Sequence, residues 1–271
     1  MIKKRILFLY ALLLFGFSAE KEEIYPFVKN DSFKRGEFIK YKLTYGFFNV
    51  GRGHAVISDK YYNLNGRTCF KLDAYGTTAG MLSWVTHVDD HWGAYIDTVS
   101  ILPEVSYRII REGNYKLDEY TYFDHANKKV AVKVIDKNTG KFKDPKEYET
   151  NLHTRDMVAG FLYMRTLDFS KMQKGDTVII KGFFEDTFYK QAIVYYGKDV
   201  VKMKFGKVRA LKFKPVMPDN KLFDGENSIT AWFSDDRNRI PLKIDAEMFI
   251  GSAGVELTDY GKLKHPLNLV K

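Results

Sequence analysis

Most of this chain alternates apolar and polar residues with period two, the pattern of strands that bury one face and wet the other. Ile39, Tyr41, Leu43 and Tyr45 share one side of such a run, with Lys40, Lys42 and Thr44 on the other. Val130, Val132 and Val134 repeat the pattern, as do Leu242, Ile244, Ala246 and Met248 against Lys243, Asp245 and Glu247. Short turns separate the runs, at Asn49 to Gly51, Asn65-Gly66, Glu112 to Asn114, Asn138 to Gly140, Gly197 to Asp199 and Gly251 to Gly254. These residue types tolerate positive φ and suit hairpins, so strands adjacent in sequence are expected to pair antiparallel. The last third reads as a meander: a strand over Ile229 to Ser234, a turn through Asp235 to Asn238, a strand over Ile240 to Ile250, a Gly-Ser-Ala-Gly turn and a strand over Val255 to Tyr260.

One segment breaks the period. From Thr154 to Thr166, Met157, Phe161 and Met164 recur at helical spacing beside Val158 and Leu162, and Thr154 and Asp156 are placed to cap and charge the start. The spacing predicts one amphipathic helix, and a short helical turn is expected near Ala79 to Trp84. The expected fold is therefore mostly β. Curved antiparallel sheets form an open or half barrel, with front strands in 33–135, back strands in 176–261 and the helix packed against them.

The two ends of the chain and its charge add a compartment to this picture. Lys3, Lys4 and Arg5 precede an apolar run from Ile6 to Leu14, and Gly16 and Ser18 form a small-x-small pair ahead of Ala19 and the charged Glu20. That is the layout of a secretory signal, too short to span a bilayer, with cleavage expected after Ser18 or Ala19. Residues 1–19 thus read as a signal peptide and 20–271 as a single exported, soluble, periplasmic β domain. The one cysteine, Cys69, is far from the cleavage point, which argues against a lipoprotein and leaves no intramolecular disulfide. About 250 residues are ample for a core to supply the stability instead. The formal charge of +9 could steer the protein to an anionic envelope surface, lipid or polysaccharide. Solubility, with Lys on exposed strand faces and edges, explains the charge as simply. No nucleic-acid motif is present, and an exported chain has no call for one.

Several stretches carry a family likeness. Phe33-Lys34-Arg35-Gly36-Glu37 leading to Tyr41 and Tyr45-Gly46, Asp97 followed by Leu102-Pro103, and Tyr122-Phe123-Asp124 make up its first half. Leu162-Tyr163-Met164-Arg165 and Trp232-Phe233-Ser234-Asp235-Asp236 running to Arg239-Ile240-Pro241 make up the second. In combination they resemble an uncharacterised exported bacterial family, domain of unknown function 3108, across essentially the whole mature chain. That family has no established activity, so the resemblance implies no catalytic residues. The closing meander is also similar in architecture to periplasmic lipoprotein carriers, whose half barrels hold acyl chains against a helix; architecture alone does not fix function.

Local chemistry is sparse. In Thr86-His87-Val88-Asp89-Asp90-His91-Trp92 the residues His87, Asp89 and His91 would share a strand face, but two His Cα atoms four residues apart lie roughly 13 Å from each other on a strand, too far for one metal without a bulge. A polar outer face is the expected reading, with no metal and no cofactor. Glu185-Asp186 and Asp235-Asp236 fall at turns, the latter near Arg237 and Arg239, where a turn-stabilising ion pair is expected. There is no Gly-x-Ser-x-Gly elbow and no phosphate-cradling loop, and Cys69 reads as a small buried hydrophobe. The basic stretch Lys198 to Lys214 reads as a solvated strand face, with contact to anionic head groups or polysaccharide as the alternative.

Three functions are compatible with this. The first is a non-enzymatic envelope protein that holds an apolar small molecule or lipid, with Tyr41, Tyr45, Met157, Phe161, Met164 and Trp232 as the lining. The second is a structural or protein-interaction module of the envelope, and the third a hydrolase with no local motif. A hollow interior would favour the first, a filled core with an exposed patch the second, and titratable groups converging in a cleft the third.

Overall fold

A computed structural model describes residues 23–80, 86–217 and 228–270. The expected signal segment 1–19 and all but the first two residues of the helical turn expected near 79–84 lie outside them. The first strands are β1 (Phe38–Tyr45), β2 (Phe48–Ile57), β3 (Tyr62–Leu64), β4 (Arg67–Thr78) and β5 (Asp89–Asp97). They are followed by β6 (Pro103–Glu112), β7 (Tyr115–Asp124), β8 (Lys129–Val134) and β9 (Lys146–Glu149). Helix α1 (Met157–Thr166) leads to β10 (Thr177–Phe184), β11 (Thr187–Met203), β12 (Gly206–Pro215), β13 (Ile229–Ser234), β14 (Pro241–Glu247) and β15 (Ser252–Gly261).

The alternation predicted hairpin-linked antiparallel strands, and the named strands all pair that way. The expected front and back sheets are one. Strand β15 returns beside β1, pairing Phe38 with Gly261 through to Tyr45 with Ala253, and so welds the two halves into a single sheet. Its order is β10-β11-β12-β13-β14-β15-β1-β2-β4-β5-β6-β7-β8-β9, with β3 on β4. No local pattern announces a pair separated by some two hundred residues. The edges β9 and β10 are not hydrogen bonded to each other, so the sheet stays open. Its ends nevertheless come round to meet: Phe183 of β10 packs with Phe123, Val130, Val132 and Tyr148 of β7, β8 and β9.

Three turns differ from the expected ones. The β1–β2 turn lies at Gly46–Phe47, three residues before the expected Asn49 to Gly51, because Gly51 serves a different need: a Cβ there would lie 2.8 Å from the Thr77 carbonyl of β4. Gly197 to Asp199 is no turn but part of the seventeen-residue strand β11, where a bulge between Tyr195 and Gly197 absorbs the irregularity. The β14–β15 turn falls at 248–251, so Phe249 and Ile250 cap a hairpin instead of continuing a strand.

Helix α1 starts at Met157, later than the expected Thr154. Asp156 is its N-cap, its carboxylate accepting from the amides of Val158 at 2.9 Å and Ala159 at 3.1 Å, whereas the Thr154 hydroxyl turns back to the Asn151 carbonyl. The helix is not simply amphipathic either. Val158, Ala159 and Leu162 pack into a core with Phe33, Phe70, Leu72 and Ile96, while Met164 and Phe161 pack into another with Ile180, Phe213 and Phe233. It lies between the two arms of the curled sheet and is buried on both flanks. A third cluster, built from Ile39, Val208, Ile240, Leu242 and Leu257, fills the fold of the back strands over β1.

Candidate functional site

Three of the motifs that carried the family likeness converge, and what they build is a buried ionic knot. Arg165, in the last turn of α1, is 1% exposed and donates from Nη1 to Glu37 at 2.6 Å, from Nε to the Asn238 carbonyl at 3.0 Å and from Nη2 to the Ser32 carbonyl at 3.2 Å. Arg239 and the Ser32 hydroxyl both donate to the Arg165 carbonyl. The motifs ending in Glu37, Arg165 and Arg239-Ile240-Pro241 are thus one fastening of helix, leading segment and β13–β14 turn. Its centre is closed to solvent: Arg165, Glu37, Ser32 and Asn238 are all buried, and Arg239 at its margin is half-buried.

The expected ion pair within Asp235-Asp236-Arg237 and Arg239 is replaced by longer-range partners. Asp236 accepts from the amide of Asn238 at 2.8 Å and so shapes its own turn, Asp235 pairs with Lys198 at 2.9 Å, and Arg237 pairs with Asp31. Of the basic stretch, Lys212 lies 5.5 Å from the Trp232 ring and Lys214 5.2 Å from that of Tyr196. His91 is held by Asp73 at 2.7 Å and stacks on Tyr75 at 4.3 Å. Cys69 is buried, and burial pushes its thiol up to about 12, which removes the thiolate needed of a nucleophile.

Among the described residues, two features have room for a ligand: a cleft of about 520 Å³ beside Phe27, Phe33, Tyr61 and Lys264, and a more apolar groove beside α1. Met157, Phe161 and Met164 line it from the helix, and Ile180, Phe183 and Phe184 of β10 with Phe233 of β13 face them, around a volume of about 590 Å³. Met164 is buried in its wall and Met157 is 56% exposed, while Phe161 lies 6.2 Å from Phe233, centroid to centroid. A few polar groups, Arg155, Asp156 and Gln191, stand in the lining. Beyond the groove, the hairpin of β10 and β11 is latched to the front strands, Arg108 bridging Glu119 at 2.7 Å and Glu185 at 2.8 Å while Phe184 stacks on Trp92. Burial raises the Asp156 carboxyl to about 6 against the opposing pull of the two amides it caps.

Three of the six residues expected to line a ligand site are therefore brought together, and three are not. Tyr41 belongs to the third core cluster, its hydroxyl donating to the Pro241 carbonyl at 3.1 Å and its phenol held well above the usual range by burial. Tyr45 sits at the β1–β2 hairpin, 40% exposed. Trp232 points away from the groove, its indole N–H donating to Asp199 at 2.9 Å; its neighbour Phe233 faces the groove, since adjacent strand residues take opposite sides. The contributions of β10 were missed because Thr177-Val178-Ile179-Ile180 has no clear alternation with which to choose a face.

The sequence matches the family described as protein of unknown function (DUF3108) over residues 40–258. No curated protein matches it. Among solved structures the chain is similar to a beta-barrel-like protein of domain of unknown function DUF1849 from Brucella abortus, with a TM-score of 0.53 and 12% identity, covering 85% of this chain and 99% of that one. At that identity the likeness is one of fold.

Proposed function

For a chain that belongs to the DUF3108 family, we propose a non-enzymatic role in the cell envelope: after export, the protein holds an apolar ligand such as a lipid chain in the groove beside α1. The observation that carries this reading is the lining. A volume of about 590 Å³ falls in the range of roughly 300–1,000 Å³ common for small-molecule sites, and its walls are mostly Met, Phe and Ile with a few polar groups, Arg155, Asp156 and Gln191, among them. Met side chains suit a wall that adapts to ligands of varied shape. The leader-like first 19 residues support a periplasmic location.

Native protein purified from the periplasm tests the reading. Its intact mass should begin at Ala19 or Glu20, its organic extract should contain lipid by mass spectrometry, and a fluorescent fatty acid should bind at micromolar concentration. Ile193→Trp, which fills the groove from β11, should abolish binding with the fold retained, and Phe161→Ala should alter which chains are held. Empty extracts together with no fatty-acid binding would remove the carrier reading.

A further inference from the structure

Two hairpin tips stand side by side at the seam between β1 and β15. The β1–β2 tip exposes Phe47 by 91% and Phe48 by 55%, and the β14–β15 tip exposes Ile250 by 80% and Phe249 by 61%. The tips are fixed to one another: the Gly46 amide donates to the Ser252 carbonyl at 2.8 Å, and the Tyr45 hydroxyl donates to the Ile250 carbonyl. Gly251, at φ +74°, leaves the space Tyr45 fills, since a Cβ there would sit 2.8 Å from its hydroxyl oxygen. The four exposed side chains therefore form one rigid apolar promontory, with Phe47 and Phe48 in contact at 4.8 Å.

Neither the core nor the groove uses these residues, and exposing four of them together carries a cost in water that an ordinary hairpin tip avoids with Asn, Asp or Gly. The surrounding charge indicates what covers them. No ionisable side chain other than the Tyr45 phenol occurs from Tyr45 to Gly51 or from Met248 to Val255. Behind the tips the charge is balanced: Lys42 of β1 pairs with Glu256 and Lys243 of β14 with Asp245, exposed Glu247 ends β14 beside the tip, and Arg52 of β2 has no ion pair among the described residues. A charge-free tip of four large apolar side chains complements a bilayer, whose acyl boundary accepts Phe and Ile, while the unpaired Arg52 behind it can meet the phosphates. Of the Arg, Tyr and Trp anchors typical of protein hot spots, Arg52 and Tyr45 are near, but Arg52 stands behind the tip and the Tyr45 hydroxyl is already bonded.

We infer that the paired tips are a membrane-docking element, seating Phe47, Phe48, Phe249 and Ile250 in the interface of a phospholipid bilayer with Arg52 at the phosphate level. The inference does not depend on the groove. Flotation of the full-length mature protein with phosphatidylcholine vesicles, and with vesicles containing one quarter phosphatidylglycerol, tests it, with urea midpoints as a control for folding. The wild type should float with both. Phe47→Ser/Ile250→Ser should lower the partition at least about tenfold on both with its urea midpoint unchanged, and Phe47→Trp/Ile250→Leu should restore it with Trp fluorescence quenched by brominated lipid. Failure of the wild type to float would overturn the inference. So would a double variant that keeps its anionic-vesicle binding and loses it only in high salt, or a wild type whose tips instead join two copies in the absence of lipid. The groove-filling Ile193→Trp should float like the wild type, so loss of fatty-acid binding and loss of docking are separable results.

Discussion

At the scale of single residues, two buried charges have different consequences. Arg165 and Glu37 form an ion pair with both side chains out of water, and such a pair contributes little net stability beyond what apolar residues of like volume would give, although breaking it is costly. Glu37→Gln or Arg165→Met alone should therefore lose about 3–5 kcal/mol in urea unfolding, whereas Glu37→Leu/Arg165→Met should recover most of the loss. A double variant as unstable as the sum of the singles would show that the carbonyl bonds to Arg165, not the pair, hold the knot. Asp156 is buried without a cation. Its carboxyl is raised by burial to about 6 from the model-peptide 3.8, so between these values the folded chain holds a proton that the unfolded chain has released. Its contribution is favourable below about pH 4 and declines as pH rises through about 6. Asp156→Asn, which keeps a capping oxygen, should gain on the wild type by up to about 3 kcal/mol between pH 4 and pH 7; parallel pH profiles of the two urea midpoints would refute this.

Among the elements, α1 bears the most on both stability and ligand. Leu162 is fully buried between the arms of the sheet, so Leu162→Ala should cost about 2–5 kcal/mol. Met157 is more than half exposed at the groove, and Met157→Ala should stay within about 0.5 kcal/mol while changing ligand retention. Equal losses for the two, read from urea midpoints, would mean that the groove is part of an ordinary core. The strands were legible because period two recurs where one face is wet: β8 buries Val130 and Val132 between more exposed neighbours. The turns were less legible because a Gly between apolar residues signals either a reversal or a close approach of strands. Gly51 is the second, and only its proximity to Thr77 reveals that.

At the scale of the whole molecule, the sequence by itself determined the class of fold, the antiparallel hairpins, the helix and three of its groove-lining residues, Met157, Phe161 and Met164. Alternation and helical spacing are local properties, written within a dozen residues. Family membership was legible for another reason, since its motifs are short runs of adjacent residues that can be read one at a time along the chain. Only the tertiary structure decided that two expected sheets are one, that Trp232 packs beside the third core cluster while Phe233 lines the groove, and that two turns distant in sequence form a single apolar promontory. The physical reason is common to all three. Each depends on which strands lie beside each other after β15 has returned to β1, and backbone pairing between distant strands is nearly indifferent to side-chain identity, so it leaves little trace in the order of residues.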